Sequence, residues 1–288
     1  MIEGVTDPTQ YLYHYTSSPA ALTHILKSRM LRFGSYTGTN DPKEAKTWQF
    51  DLGTNGDRDL GAYKMSEESA WLSGQLKSRA RLLCFCMDRS PLSGIHMDDI
   101  FNRGFCKPRM WAQYGEKHSG VCLVFDREQL TAAIDKQVAA SHLVISGAVE
   151  YVDRRIVRNL YEDQQYTINT DVLEEVGREA YPKLHLKTHY RRLFFEKMTD
   201  WRDECEWRWV AFANSDQAVY VAYQNALVGI MFGEDTPEKT IQDIMDLPGA
   251  FRYMGLKWKN CSPWYDYGNL RYTHGIKNSP WGEHVRRV

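Results

Sequence analysis

An α+β fold with mixed, mostly antiparallel, short-stranded sheets is what this sequence predicts. Two observations carry it. Strand-length apolar or alternating runs are interspersed with helical patterns rather than set in regular βαβ order. No GxGxxG follows a strand and no Walker phosphate loop occurs, so a doubly wound nucleotide fold is disfavoured.

The elements follow in order. Residues 11–16 read as a Tyr-rich strand, and Ser17-Ser18-Pro19 as a capped helix entry leading into Leu22, Ile25 and Leu26 at helical spacing. Residues 30–33 form a second strand. Asn40-Asp41-Pro42 is a turn with a helix after it. Helices are expected over 66–80, 108–117, 127–140, 172–196 and 236–245, the last capped by Thr236. Strands are expected over 81–87, 120–125, 143–152, 204–213, 218–222 and 227–232. One domain is expected over residues 1–255, with an aromatic extension over 256–288 packing on it.

Composition narrows the function. Of 288 residues 25% are charged with a net charge of −1, so no global electrostatic case for nucleic acid arises. Aromatics at 13% suit a core, and equally suit stacking on bases or nicotinamide. The start lacks a basic segment before an apolar run, and no stretch approaches membrane-span length. The expected location is the cytoplasm, with no membrane partner. Six scattered cysteines without CxxC spacing read as reduced thiols, not metal ligands.

Four blocks carry candidate chemistry. In Tyr13-His14-Tyr15-Thr16, His14 and Thr16 share one strand face and can serve a ribose diol; a histidine bonded at a sheet edge is the plainer alternative. In residues 40–44, Asn40 and Asp41 cap a helix or shape a pocket. In residues 110–120, Trp111, Tyr114 and His118 fall on one helical face, as core or as site. In residues 201–209, Glu204, Glu206 and Arg208 alternate with Cys205, Trp207 and Trp209. The aromatic face reads as core. That leaves two carboxylates and an arginine on an open face, as solvated ion pairs or as an acid–base pair.

These blocks, in this order, resemble an uncharacterised, widespread bacterial domain family. The shared features are an aromatic-His-Tyr-Thr-Ser opening, an Asn-Asp-Pro-x-Glu turn, a Met-Trp-x-x-Tyr-x-x-x-His-x-Gly block and a Glu-x-Glu-Trp-Arg strand. Lys43 departs from the pattern, as does the long aromatic tail. The family in turn is distantly similar to ADP-ribosyltransferases. The resemblance implies an ADP-ribosyltransferase-like core and NAD as substrate. His14, with Tyr15 and Thr16, would hold the nicotinamide-side ribose. Glu206 would be the catalytic carboxylate, and Glu204 would position the acceptor. Tyr114 or Tyr36 would stack on nicotinamide, with Tyr114 favoured. Arg81 or Arg32 would hold the pyrophosphate. It further implies a toxin or phage-defence effector acting on a macromolecular acceptor, nucleic acid ahead of protein, with an antitoxin as a partner. Two other readings stand beside it: a binding module working through the tail, and a metal-independent ribonuclease using His14 and His118.

Overall fold

The computed structural model describes residues 4–57, 59–95, 98–154, 163–213, 218–249, 251–259 and 262–266. Its helices and mixed, mostly antiparallel sheet make an α+β fold.

Strand β1 (Tyr11–Thr16) ends where Ser17 caps α1 (Ser18–Ala20), accepting from the Ala20 N–H with Pro19 in the first turn. A single π-type stretch, Ala21–Leu26, then leads to β2 (Met30–Ser35). The Asp41 carboxylate caps α2 (Pro42–Ala45) by accepting from the Lys43 N–H. After β3 (Asp51–Gly53) come α3 (Met65–Arg79) and β4 (Ala80–Met87). Next are α4 (Pro108–Gln113), β5 (Val121–Asp126), α5 (Arg127–Gln137), β6 (Leu143–Ala148), β7 (Glu150–Tyr151) and β8 (Thr167–Asn169). Helix α6 (Thr170–Phe194) is capped by Asn169 and broken at Gly177, whose φ of 77° suits glycine. The chain continues through β9 (Glu196–Lys197), β10 (Glu206–Phe212), β11 (Val219–Ala222), β12 (Leu227–Phe232), α7 (Glu238–Met245), β13 (Arg252–Lys259) and β14 (Ser262–Asp266).

The main sheet runs β11-β2-β4-β1-β5-β12-β13-β14, with β10 and then β6 attached to β4. Strand β4 is the junction. Along one edge it pairs with all of β10, from Glu206 opposite Cys86 to Phe212 opposite Ala80. Its other edge is shared: β2 pairs at Leu82 and Arg81, and β1 pairs at Met87 and Cys86. Between those pairings β1 and β2 diverge, and a wedge opens beside Cys84. Helices α5 and α7 pack with Leu123, Phe125, Phe232 and Trp209 on one side. Helices α3 and α6 bury Leu76, Leu186 and Phe194 against Leu82 and Val210 on another. Each fully buried side chain of this size contributes roughly 1.5–3 kcal/mol, so these two layers hold the halves of the wedge at fixed positions.

Two expectations are corrected. Glu204 is not on a strand: it closes a 3-10 turn over Thr199–Glu204, and the left-handed Cys205 (φ 44°) separates it from β10. Thr236 is not the cap of α7; its hydroxyl donates to the Gly120 carbonyl, and Pro237 takes the cap position. The boundary at 255/256 falls inside β13, which pairs parallel with β12 and antiparallel with β14. The extension therefore begins as sheet; residues 267–288 of it lie outside the described residues.

Gly233 pins the end of β12 to the turn around His118. A Cβ there would lie 2.1 Å from the His118 carbonyl oxygen, a backbone atom. Gly233→Ala is expected to cost about 1–3 kcal/mol or more in urea unfolding, because neither partner can rotate away.

Candidate functional site

The wedge holds a pocket of about 340 Å³, within the size range of small-molecule sites. One wall is β1, through Tyr13, His14 and Tyr15. The opposite wall is the segment after β2, through Gly38, Thr39 and Asn40. Cys84, Glu206 and Arg208 line it from β4 and β10, while Met110 and Tyr114 come from the end of α4. Glu44, Lys197 and Glu204, with Phe85 and Cys86 of β4, complete the lining.

A chain of buried charges organises this lining. The Arg208 Nε and Nη2 groups donate to the two Glu206 carboxylate oxygens, each at 2.7 Å. Its Nη1 donates to Glu44 Oε1 at 2.6 Å and to the Phe194 carbonyl at 2.8 Å. Lys197 Nζ lies 3.0 Å from Glu206 Oε2 and donates to Glu204 Oε2 at 2.7 Å. The Tyr114 hydroxyl donates to Glu204 Oε1 at 2.7 Å and accepts from Asn40 Nδ2 at 3.1 Å. The Glu206 N–H donates to the Tyr151 hydroxyl oxygen at 2.9 Å. Three carboxylates and two cations leave this chain one formal negative charge in excess.

The protonation states follow from these contacts. Burial works to raise the Glu206 pKa, but Arg208 and Lys197 outweigh it and hold the carboxyl down to about 2. Burial works against the Lys197 ammonium, yet Glu206, Glu44 and Glu204 hold its proton more firmly than usual. Burial and the nearby Glu204 raise the Tyr114 hydroxyl, which stays protonated. Burial and Glu206 do the same to the Cys84 thiol. Burial lowers His14, which is neutral at pH 7; its Nδ1–H donates to the Cys84 carbonyl at 3.2 Å. That bond fixes the tautomer and leaves Nε2 an acceptor. Glu44 Oε2 is a second acceptor: it is buried, belongs to a pocket-lining residue and has no partner among the described residues.

The structure thus brings His14, Tyr15, Tyr114, Glu204 and Glu206 to one pocket. Within it, Tyr15 packs edge-on against Trp111 and its hydroxyl donates to the Gly104 carbonyl, so that ring is wall rather than ligand contact. Thr16 lies at the end of β1 opposite Val121 and does not line the pocket. Tyr36 is buried against Trp48 and Phe194, with its hydroxyl on the Leu193 carbonyl; it is core. Arg81 sits at the far end of β4 and donates to the Ser78 and Ala80 carbonyls, away from the pocket lining. Arg32 pairs with Tyr220 across β2 and β11 and is not among the lining residues either. The face of β10 expected to be open is closed: Glu206 and Arg208 are 4% and 1% exposed. His118 stacks on Trp111 and lies outside the pocket lining.

Two residues went unseen in the sequence. Glu44 was visible only as the last position of the Asn-Asp-Pro-x-Glu turn. Lys197 had no signal, since it sits in a two-residue strand held by β7.

The family described as "Protein of unknown function (DUF2971)" matches residues 110–209. That span carries Met110, Tyr114, Lys197, Glu204, Glu206 and Arg208; His14, Asn40, Glu44 and Cys84 precede it. No curated protein and no solved structure matches the chain. Among the described residues, no helix is long and apolar enough to cross a membrane, and no group of three His, Cys, Asp or Glu side chains is placed to hold a metal.

Arg208→Met strands Glu206 and Glu44 as buried, poorly paired carboxylates. A loss of about 3–5 kcal/mol in denaturant unfolding is expected, with Arg208→Lys recovering little because it cannot make the two-pronged bond. The depressed Glu206 pKa gives a second expectation. Its stabilisation is present above the ordinary carboxyl value of 4.5 and is lost as pH falls toward about 2. Stability followed across that window should drop more steeply in the wild-type protein than in Glu206→Gln.

Proposed function

We propose that this pocket takes the nicotinamide–ribose end of NAD and that the protein transfers ADP-ribose to a macromolecular acceptor. The observation that supports this most is the convergence, across the wedge, of two unfilled acceptors and a fixed carboxylate. Among the described residues Glu44 Oε2 has no donor and His14 is bonded only through Nδ1, and a vicinal ribose diol supplies two O–H donors. A pocket with one negative charge in excess favours the pyridinium of NAD over a neutral or anionic group.

The chemistry follows from that charge. As the bond between ribose C1′ and the nicotinamide nitrogen breaks, its electron pair leaves with neutral nicotinamide. Positive charge then develops on the sugar. Glu206 is held ionised by Arg208 and Lys197, so its role is electrostatic. An acceptor nucleophile bonds C1′ and releases its proton; Glu204 is the carboxylate assigned to receive it. Tyr114, half-buried at the pocket, is assigned to pack on the nicotinamide ring. Among the described lining residues both cations are already engaged by carboxylates, so the pyrophosphate is assigned to the mouth. The acceptor is assigned as nucleic acid ahead of protein on aromatic content alone, with a toxin or defence role to match. The ribonuclease alternative needs His14 and His118 at one substrate, and only His14 lines this pocket.

Pure protein incubated with NAD labelled in the adenylate half and with cell lysate should label RNA, DNA or protein. His14→Ala and Glu206→Gln, checked for native circular dichroism, should lose about 100-fold or more of that rate. Absence of both label transfer and nicotinamide release from the folded wild-type protein would remove the proposal.

A further inference from the structure

A second pocket, of about 540 Å³, lies away from the wedge, where β12 and β13 begin and β1 starts. It shares no lining residue with the first. Its chemistry is opposite in sign. Two guanidinium groups, Arg29 and Arg252, line it, and no acidic side chain does among the described residues. Arg29 spends one Nη2–H on the Pro248 carbonyl at 3.0 Å, which anchors it; among the described residues its other side-chain donors have no partner. Among the described residues no carboxylate pairs with Arg252. Asp126, which like Arg252 lies near Tyr11, caps α5 with one oxygen, accepting from the Gln129 N–H at 2.9 Å, and does not line the pocket.

The backbone around this pocket is built with effort. Arg29 and Gln224 both adopt left-handed conformations, φ 57° and 51°, that side-chain-bearing residues rarely take. The Tyr223 N–H donates to the Arg29 carbonyl, so the two turns are tied together. The pairing of β12 with β5 also shifts register between Leu227 and Gly229, and the bulged Val228 lines the pocket. The side-chain amides of Gln224 and Asn225 are exposed at the rim, and the half-buried rings of Tyr11 and Phe251 supply flat apolar surface.

We infer that this second pocket binds a nucleoside 5′-phosphate: the two arginines take the phosphate, and the Tyr11 and Phe251 rings take the base. Guanidinium forks match phosphate oxygens in pairs, and aromatic faces accept any base. The same group occurs as a free nucleotide and as the phosphorylated end of a nucleic acid. The inference does not depend on the NAD reading.

Titration calorimetry of the full chain tests it with AMP, adenosine, inorganic phosphate and a 5′-phosphorylated oligonucleotide. AMP should bind at least ~10-fold more tightly than adenosine or phosphate. Arg252→Glu and Arg29→Glu should each weaken AMP by at least ~10-fold, with Arg252→Gln as the milder check that the fold survives. His14→Ala should leave AMP binding in place. An oligonucleotide that binds more tightly than AMP supports the site and assigns it to a nucleic acid end; equal binding supports a free nucleotide. AMP binding that survives both arginine reversals, or that vanishes in His14→Ala, overturns the inference, as does no detectable binding of AMP.

Discussion

The Arg208 guanidinium holds the candidate site together. It joins β10 to α2 through Glu44, to the end of α6 through the Phe194 carbonyl, and to its own strand through Glu206. At 1% exposure it has no water to replace a lost partner. A buried cation of this kind is tolerable only when all its partners are in place, so its geometry dictates theirs. Lys197 repeats the arrangement one step toward the mouth, tying Glu206 to Glu204. Two cations thereby fix three carboxylates that would otherwise repel one another.

The sheet supplies the space that these charges line. Had β1 or β2 paired with the whole edge of β4, no wedge would exist. Each takes only two residues of it, and the free Cys84 carbonyl between them is met by a side chain rather than a strand. His14 thus does what a neighbouring strand would do for the backbone, and its tautomer is set by the same bond. The split in the sheet and the chemistry of the histidine have one cause.

Much of this was legible in the sequence and some was not, for reasons particular residues show. Alternation in β10 and strand-length apolar or aromatic runs in β1, β4, β5 and β12 make those strands legible. The His14 and Glu206 blocks were found because they join rare residue types at strand spacing. The polar face of β10 was taken as open because alternation gives two faces and cannot say that a helix covers the second. Tyr36 and Arg81 were assigned to the site by analogy, yet a buried hydroxyl on a carbonyl and a guanidinium on a helix end look the same in sequence as ligand contacts. Lys197 was missed because its position depends on β7 and on a turn, neither of which has a pattern. Glu44 shows in the sequence only as the last position of a turn, and only the fold reveals that its carboxylate reaches Arg208.

NAD binding in the wedge, as proposed, requires His14 to offer an unprotonated Nε2 to the ribose. Nitrogen-15 NMR of the labelled imidazole during NAD titration at pH 7 measures this directly. The expected result is a neutral ring with its proton on Nδ1, whose Nε2 resonance moves upfield on adding NAD as it gains a hydrogen bond. A ring found charged at that pH, carrying its proton on Nε2, or indifferent to saturating NAD would contradict it.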